Sequence, residues 1–312
     1  MQRFLIVLLV PLMFVCGPLF ADFPEKNVTY QITFSPGGGS DVRARHQQPY
    51  LEDELGKKIV IQYKPGAGGS IGWANLVKQK ADGYFMSGIN IPHIILQPLA
   101  RKPGYETEEI VPVALFQQIP FGLTVLQDSP FQTLEDLINY AKKNPAALTI
   151  GGSGTWDATH IANLQFEMMA GIQTTYVPHK GGKPKQTSLL GGHTMASWFG
   201  PNEKMPHGDK VRTLAYATEN PIQVNPEVPT FASYGYPLYS SVYHGVGVPK
   251  GTPKEHIEVL EKAFLKIAGL DETKKVKLKV GIMPIALGSE AAKKLIADKK
   301  VAWEPIVKKF VD

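Results

Sequence analysis

Three glycine-rich loops carry the residues best suited to chemistry in this sequence. They read PGGGSD at 36–41, PGAGGSIG at 65–72 and GSGTWDATH at 152–160. Each follows a strand-like apolar run and precedes a helix-like stretch, and a helix N-terminus offers unpaired backbone N–H groups with a partial positive charge. Glycines allow a ligand close to the backbone. The pattern therefore predicts a site that holds an anion, such as a carboxylate.

The candidate ligand-binding residues come from these loops and from the end of the third strand. For one loop alone, the alternative is that glycines only form tight turns and serines only cap helices. Three loops of the same kind favour binding. Asp41 and Asp157 are also expected to cap helices. The candidates are Gly38, Gly39, Ser40, Asp41, Ser70, Asn90, Ser153, Thr155, Trp156 and Thr159.

Motifs for other chemistries are incomplete. A dinucleotide fingerprint needs a glycine where Val42 stands, and no GxxxxGK[ST] phosphate loop is present, since Pro184 follows Gly182-Lys183. No histidines are paired at helical spacing, so we predict no metal site and no cofactor. The stretch GGSIG at 68–72 fits a nucleophile elbow around Ser70, which leaves a secreted serine hydrolase as the alternative function. Pro65 and the glycines after it separate Ser70 from its strand, which argues against an elbow.

Strands and helices alternate along the chain after residue 21. Strands are predicted at 28–34, 58–63 and 83–89, with helices between them, and the pattern resumes beyond Phe131. This alternation predicts an α/β fold with parallel sheets. Pro49 is expected to kink or divide the first helix. Linkers near 112–123 and 239–248 would let the chain cross twice between two domains, the first formed by 22–118 with 246–312 and the second by 119–245.

The first segment, residues 1–21, has the pattern of a secretory signal peptide. Arg3 precedes an apolar run that Pro11, Gly17 and Pro18 interrupt, and Ala21 closes it. The alternatives are a membrane anchor and lipid attachment at Cys16, where Val15 stands in place of the small residue a lipoprotein signal needs. Cleavage would remove Cys16, the only cysteine. The mature protein would then have no disulfide and no thiol nucleophile.

Composition narrows the possible partners only slightly. The chain has 312 residues, of which 43% are hydrophobic and 20% charged, as in ordinary globular proteins. The formal net charge is +5 and its lysines are scattered, so an acidic small ligand is favoured and nucleic-acid binding is not expected.

An ordered set of motifs resembles the solute-binding receptors of tripartite tricarboxylate transporters, also called Bug receptors. The set covers essentially the whole mature chain. Each motif is weak alone, and their order is specific. It comprises PGGGSD at 36–41, PGAGGSIG at 65–72, ADGY at 81–84, GSG at 152–154 with His160, YVP at 176–178, KGG at 180–182, LLGG at 189–192 and GTP at 251–253.

The resemblance implies a periplasmic two-domain binding protein of the type II class, with a ligand cleft between the domains. Family ligands are carboxylates, held by backbone amides and hydroxyls of the first loop and the facing loop of the second domain. By resemblance, Gly38, Gly39, Ser40 and Asp41 belong to the first loop. Ser153, Thr155 and Thr159 belong to the facing one.

The sequence departs from the family pattern at Ser188, Met195 and Trp156. These departures leave the particular carboxylate open. The resemblance implies a non-enzymatic, monomeric receptor that passes its ligand to integral membrane subunits. A sensing receptor without a transport role is a further alternative.

Overall fold

The structure is a computed structural model that describes residues 23–311. The predicted signal peptide and Cys16 lie outside the described residues. Within the described range, no helix is both long enough and apolar enough to cross a membrane.

Strands and helices follow one another in the order that the sequence pattern predicts. The strands are β1 (Val28–Ile32), β2 (Ile59–Tyr63), β3 (Phe85–Ile91), β4 (Ile110–Pro120), β5 (Gly122–Leu126), β6 (Thr149–Gly152), β7 (Thr175–Pro178), β8 (Ala196–Phe199), β9 (Val211–Tyr216), β10 (Ser241–Pro249) and β11 (Met283–Gly288). The helices are α1 (Gly39–Leu55), α2 (Ser70–Leu76), α3 (His93–Ala100), α4 (Leu134–Lys143), α5 (Ala158–Ala170), α6 (Gly182–Leu190), α7 (Pro201–Lys204), α8 (Lys254–Gly269), α9 (Asp271–Lys279) and α10 (Ser289–Val311). Pro49 lies inside α1 without dividing it.

Two mixed sheets organise the molecule into a larger and a smaller lobe. The larger lobe contains a six-stranded sheet in the order β11-β4-β10-β3-β1-β2, in which β1 is parallel to β2 and β3. The smaller lobe contains a five-stranded sheet in the order β7-β6-β8-β5-β9. Side chains on the two faces of the larger sheet belong to two different apolar clusters. Tyr30 and Ile32 pack with Phe264 of α8, whereas Ile89 and Ile91 pack with Trp73 of α2.

The chain crosses between the lobes where the strand ends of the two sheets meet. β4 leaves the larger sheet at Pro120, and β5 enters the smaller sheet at Gly122, which pairs with Phe199 at the end of β8. β6 and β7 are parallel to β8, as β3 and β1 are parallel to each other. The carboxyl-terminal ends of the parallel strands in both lobes therefore face the cleft between them, which is where open α/β sheets bind ligands.

The two crossings are hydrogen bonded to each other. Phe121 N–H donates to the Ser240 carbonyl at 3.1 Å, Ser240 N–H donates to the Ala217 carbonyl at 2.9 Å, and Ala217 N–H donates to the Phe121 carbonyl at 2.7 Å. We call Phe121, Ala217 and Ser240 the crossing triangle. It joins the two segments that connect the lobes.

The chain crosses within both predicted linkers, at Phe121 and Ser240, but most of 112–123 and of 239–248 forms a strand. β4 is a buried apolar run and β10 pairs with β3 and β4 over its length, so both are central strands of the larger sheet. We propose that the lobes divide near Phe121 and just before Ser241. The second division lies a few residues earlier than the predicted boundary after residue 245.

A buried ion pair supports the smaller lobe beside the crossing. Lys185 of α6 is 1% exposed, and its Nζ lies 2.8 Å from Oε2 of Glu203. The ammonium also donates to the Trp198 carbonyl and lies 5.6 Å and 5.3 Å from the ring centres of Phe121 and Phe199. Glu203 Oε2 in turn accepts from Gly200 N–H. The pair therefore fixes α6 and the end of β8 against the first crossing.

Candidate functional site

The first glycine loop leads directly into an open helix N-terminus. Gly38 is the N-cap residue of α1, and no side chain caps this end of the helix. Gly39 is the first residue of the helix, and a Cβ atom built on it would meet no atom within 4 Å. The first-turn amides of α1 are therefore available to an anion, as the sequence pattern predicts.

Asp41 supports this loop from within. Its carboxylate accepts from Gly37 N–H at 2.7 Å, from the Tyr63 hydroxyl at 2.7 Å and from Arg45 Nε at 2.8 Å. The Gly37 bond, with those from Tyr63 and Arg45, lowers the pKa of Asp41. A carboxylate occupied by three donors has little capacity left for a ligand. The expected capping of α1 by Asp41 is not observed, because its carboxylate bonds Gly37, which precedes the N-cap; Asp41 holds the loop and does not bind the ligand directly.

Ser40 and Asn90 lie together in a small pocket of the larger lobe, which we call the Arg43 pocket. The pocket has a volume of about 10 Å³, and Arg43, Thr33 and Tyr30 also line it. The Asn90 side chain is buried and has no hydrogen-bond partner among the described residues. A volume of this size holds about one water molecule. It can receive the oxygen of an anionic group, and the body of an organic acid would extend outside it.

Arg43 is the cation of this pocket, and the sequence analysis missed it. Its Nη2 donates to Ser40 Oγ at 3.1 Å, and no carboxylate lies within ion-pair distance of it in residues 23–311. Burial lowers the pKa of Arg43 to about 10, and Tyr30 acts in the opposite direction. Arg43 is half-buried, so its guanidinium loses part of its hydration without gaining an acid partner, and an anionic ligand would offset that loss.

Further basic groups surround Arg43 and make the pocket electropositive. Burial lowers the pKa of Lys277 to about 8, with repulsion from Arg43 as the second cause. Lys277 Nζ donates to the Phe116 carbonyl at 2.8 Å. Burial lowers the pKa of His244 far below its usual value, and Arg43, His93 and Lys277 add to that effect. Arg43 and Lys277 therefore supply the positive charge near the pocket, whereas His244 is uncharged near neutral pH.

His93 connects this basic cluster with the smaller lobe. Its Nδ1 is buried and has no hydrogen-bond partner. Burial lowers the pKa of His93, and the charge of Asp157 opposes that shift. Because Asp157 belongs to the third glycine loop, that loop faces α3 across the cleft. The loops after β3 and β6 thus lie on opposite sides of one cleft.

The second glycine loop mainly supports packing. Ser70 is buried and its hydroxyl donates to the Ala67 carbonyl at 3.0 Å. Gly69 has φ +98°, and a Cβ there would lie 2.6 Å from the Trp73 ring, so the loop turns tightly over that indole. The contacts of this loop therefore fit a tight turn that supports packing, and not a ligand-binding loop. No histidine hydrogen bonds to Ser70 within the described residues, which is the pairing that a serine nucleophile needs.

The third loop is held by a network of side chains. The Thr159 hydroxyl donates to Asp157 Oδ1 at 2.8 Å, and the Ser153 hydroxyl donates to Asp157 Oδ2 at 2.7 Å. The Thr159 oxygen also accepts from Ser153 N–H and contacts the Tyr176 hydroxyl at 2.9 Å. Asp157 caps α5, as expected. These bonds leave Ser153 and Thr159 to position the loop, while Thr155 is exposed at its tip.

Trp156 contacts the larger lobe instead of lining the Arg43 pocket. It has φ +58°, unusual for a non-glycine residue, and its ring lies 4.9 Å from that of His160. The half-buried indole packs against the apolar cluster that contains Trp73. This placement favours an anchoring role for Trp156 over the ligand-binding role expected from the sequence.

We expect Trp156→Ala to reduce stability more than affinity. Loss of the indole should lower the free energy of unfolding by about 2 kcal/mol, below the range for fully buried tryptophans. Trp156→Phe keeps an aromatic contact and should lose less. Urea unfolding and carboxylate titration of both variants test this. Unchanged stability with strongly weakened binding would instead make Trp156 a pocket wall.

A detectable sequence signal could have identified Arg43. It lies three residues after Ser40 on one helix, a spacing that places both side chains on the same face. The contribution of Thr33 and Tyr30 requires the pairing of β1 with β3 and had no such local signal. Within residues 23–311, no group of three or more histidine, cysteine or acidic side chains is arranged to hold a metal ion.

Comparison with known proteins gives consistent matches over nearly the whole chain. The model of the tripartite tricarboxylate transporter family receptor matches residues 43–311. BugT of Bordetella pertussis is 28% identical over 301 residues, which is 94% of this chain and 92% of BugT. A UPF0065 protein of Cupriavidus necator is 27% identical over 92% of this chain and 88% of its own length.

Solved structures agree with these sequence matches. A structure described as a periplasmic transporter has a TM-score of 0.82 and 29% identity, covering 92% of this chain and 98% of its own. An R. palustris protein with adipate has a TM-score of 0.83 and 27% identity, and the match covers 92% of this chain and 98% of that protein. The predicted two-lobed fold of the periplasmic binding proteins is thereby confirmed.

Proposed function

The chain belongs to the tripartite tricarboxylate transporter receptor family, and we propose that it captures a small organic carboxylate in the cleft between its lobes. One observation carries the proposal. Arg43, a half-buried guanidinium without an acid partner, lies beside Ser40 and the unbonded Asn90 at the open N-terminus of α1. The adipate found in a relative of similar fold supports a carboxylate of this class.

The arrangement accounts for recognition of one carboxylate group. One oxygen would enter the pocket between Arg43, Ser40 and Asn90, while the first-turn amides of α1 face the other oxygen. A charge-assisted bond to a guanidinium is about twice as strong as a neutral one, so Arg43 would supply most of the affinity. The ligand body would lie toward the third loop, where Thr155 is exposed.

The biological setting is part of the same proposal. The family is periplasmic, so residues 1–21 would direct export and be removed. The lobes would close on the acid, and the loaded monomer would deliver it to integral membrane subunits. The protein would act without catalysis, because the Ser70 hydroxyl is held by the Ala67 carbonyl.

A thermal-shift screen with matched acids and amides tests the proposal. The panel contains adipate, citrate, glutamate and benzoate, each beside its neutral amide. A ligand at 100 times its Kd stabilises the folded state by about 2.7 kcal/mol, so one acid should raise Tm by about 5 °C or more. Its amide should not.

The same screen includes Ser70→Ala and an ester hydrolysis assay. We expect the variant to bind the acid as the wild type does and neither protein to turn over an ester. Stabilisation by amides but by no acid would contradict the proposed ligand class. Steady hydrolysis that Ser70→Ala abolishes would establish the hydrolase instead.

A further inference from the structure

A second, larger cavity lies beside the crossing, where Ala217 and Ser241 line it. It is a groove of about 640 Å³ between the segment 217–224 of the smaller lobe and α10 of the larger lobe. We call it the α10 groove. Its volume is within the usual range for small-molecule sites. The groove also contacts the starts of β10 and β11 and therefore touches both lobes.

The α10 groove and the Arg43 pocket lie on opposite faces of the larger sheet. Asn90 alternates with Ile89 and Ile91, which pack with the Trp73 cluster, so Asn90 points to the other face. Tyr243 packs with that Trp73 cluster and lines the groove. The groove is thus separate from the proposed carboxylate site.

Lys299 supplies an unpaired cation to the groove. It is half-buried, and its Nζ lies 5.5 Å from the Trp303 ring centre. Among the described residues it forms no ion pair or hydrogen bond. Burial lowers its pKa, and the neighbouring Asp298 opposes the shift. The acidic residue of the lining is Glu219, which is exposed and does not pair with Lys299.

Hydroxyl groups lie in the same lining. The Tyr243 hydroxyl has no hydrogen-bond partner within residues 23–311. Ser241 Oγ accepts from Gln118 Nε2 at 2.9 Å, which leaves the serine hydrogen free to donate. With Lys299 these groups form a polar set suited to an anionic group.

The remaining lining is apolar and partly exposed. Tyr239 is 48% exposed, Met283 41% and Leu278 37%, and all three line the groove. Ile282 and Trp303 add apolar surface behind them. Contiguous exposed apolar surface with a few polar groups marks a ligand site on a monomer.

We propose that the α10 groove is a second ligand site, for an organic anion with an aromatic body whose anionic group pairs with Lys299. We infer an anionic ligand from charge complementarity, because Lys299 lacks an acid partner. The groove volume has room for a molecule larger than a short dicarboxylic acid. The flat Trp303 and Tyr239 rings suit an aromatic one.

Binding of 8-anilinonaphthalene-1-sulfonate tests the site, with the neutral N-phenyl-1-naphthylamine as its uncharged counterpart. We expect calorimetry to show that one molecule of the sulfonate binds to each protein molecule. Lys299→Met should weaken its binding about tenfold, as loss of a charged partner does. Lys294→Met removes a charge from the exposed side of the same helix and should leave the affinity unchanged. Neither change should affect binding of the neutral amine.

Equal sulfonate affinity of wild type and Lys299→Met would overturn the proposal. Equal loss in Lys294→Met would do the same, because the effect would then be the net charge of α10. Circular dichroism checks the fold of each variant. If Lys299→Met is unfolded, Lys299→Gln is measured under the same criteria.

Discussion

Arg43→Gln should reduce carboxylate affinity about 100-fold, the scale expected when a buried charge partner is removed. Arg43 is the only lining cation of the pocket that holds Ser40 and Asn90, and a glutamine keeps hydrogen-bonding capacity without charge. Titration calorimetry with the acid found in the screen measures the loss. Arg43→Lys restores the charge without the planar guanidinium and should recover part of the affinity.

Stability distinguishes this ligand role from a structural one. Burial lowers the pKa of Arg43, so folding disfavours its charged form. Without ligand, Arg43→Gln should therefore be as stable as the wild type or more stable. Arg212 is a half-buried arginine of the smaller lobe that bonds Gln132, so Arg212→Gln serves as the matched control and should bind normally. Full affinity in Arg43→Gln would place the anion elsewhere.

Lys185→Met should lower the free energy of unfolding by about 3–5 kcal/mol, because removing one member of a buried ion pair leaves the other unpaired. Glu203 would keep its bond from Gly200 N–H but lose its charge partner. Urea unfolding measures the loss. A methionine fills similar volume, so the effect reports the charge and not a cavity.

The double variant Lys185→Met/Glu203→Met is the control for this prediction. Replacing both charges by apolar groups should recover much of the stability lost in the single variant. Lys58→Met, which removes a lysine from an exposed ion pair, should cost less than about 1 kcal/mol. A loss of that small size in Lys185→Met would show that the buried pair contributes little.

Local signals in the sequence sufficed for the elements that begin the fold. The first loop, the open start of α1 and the Asp157 cap each depend on residues a few positions apart, and each was predicted. The turn-forming role of Ser70 was also predictable, because it depends on a bond to the nearby Ala67 carbonyl, whereas Asp41 bonds the loop residue Gly37 and does not cap α1.

Features that depend on pairing between distant segments could not be predicted. The linker predicted at 239–248 falls on β10, because Gly245 and Gly247 give that strand the composition of a loop. Only pairing with β3 and β4 shows that glycine is needed there, since a Cβ at Gly245 would lie 2.3 Å from the Ala114 carbonyl. Likewise, the packing of Trp156 against the other lobe requires the tertiary arrangement.

The crossing triangle has a mechanical consequence for the two cavities. Because three hydrogen bonds tie the connecting segments together, rotation about the line through Phe121 and Ser240 is the motion that leaves those bonds intact. The α10 groove is lined by both lobes, so this rotation would change its width, whereas the Arg43 pocket is lined by the larger lobe alone. A ligand in the groove would therefore fix the angle between the lobes, and with it the distance from the Arg43 pocket to the third loop.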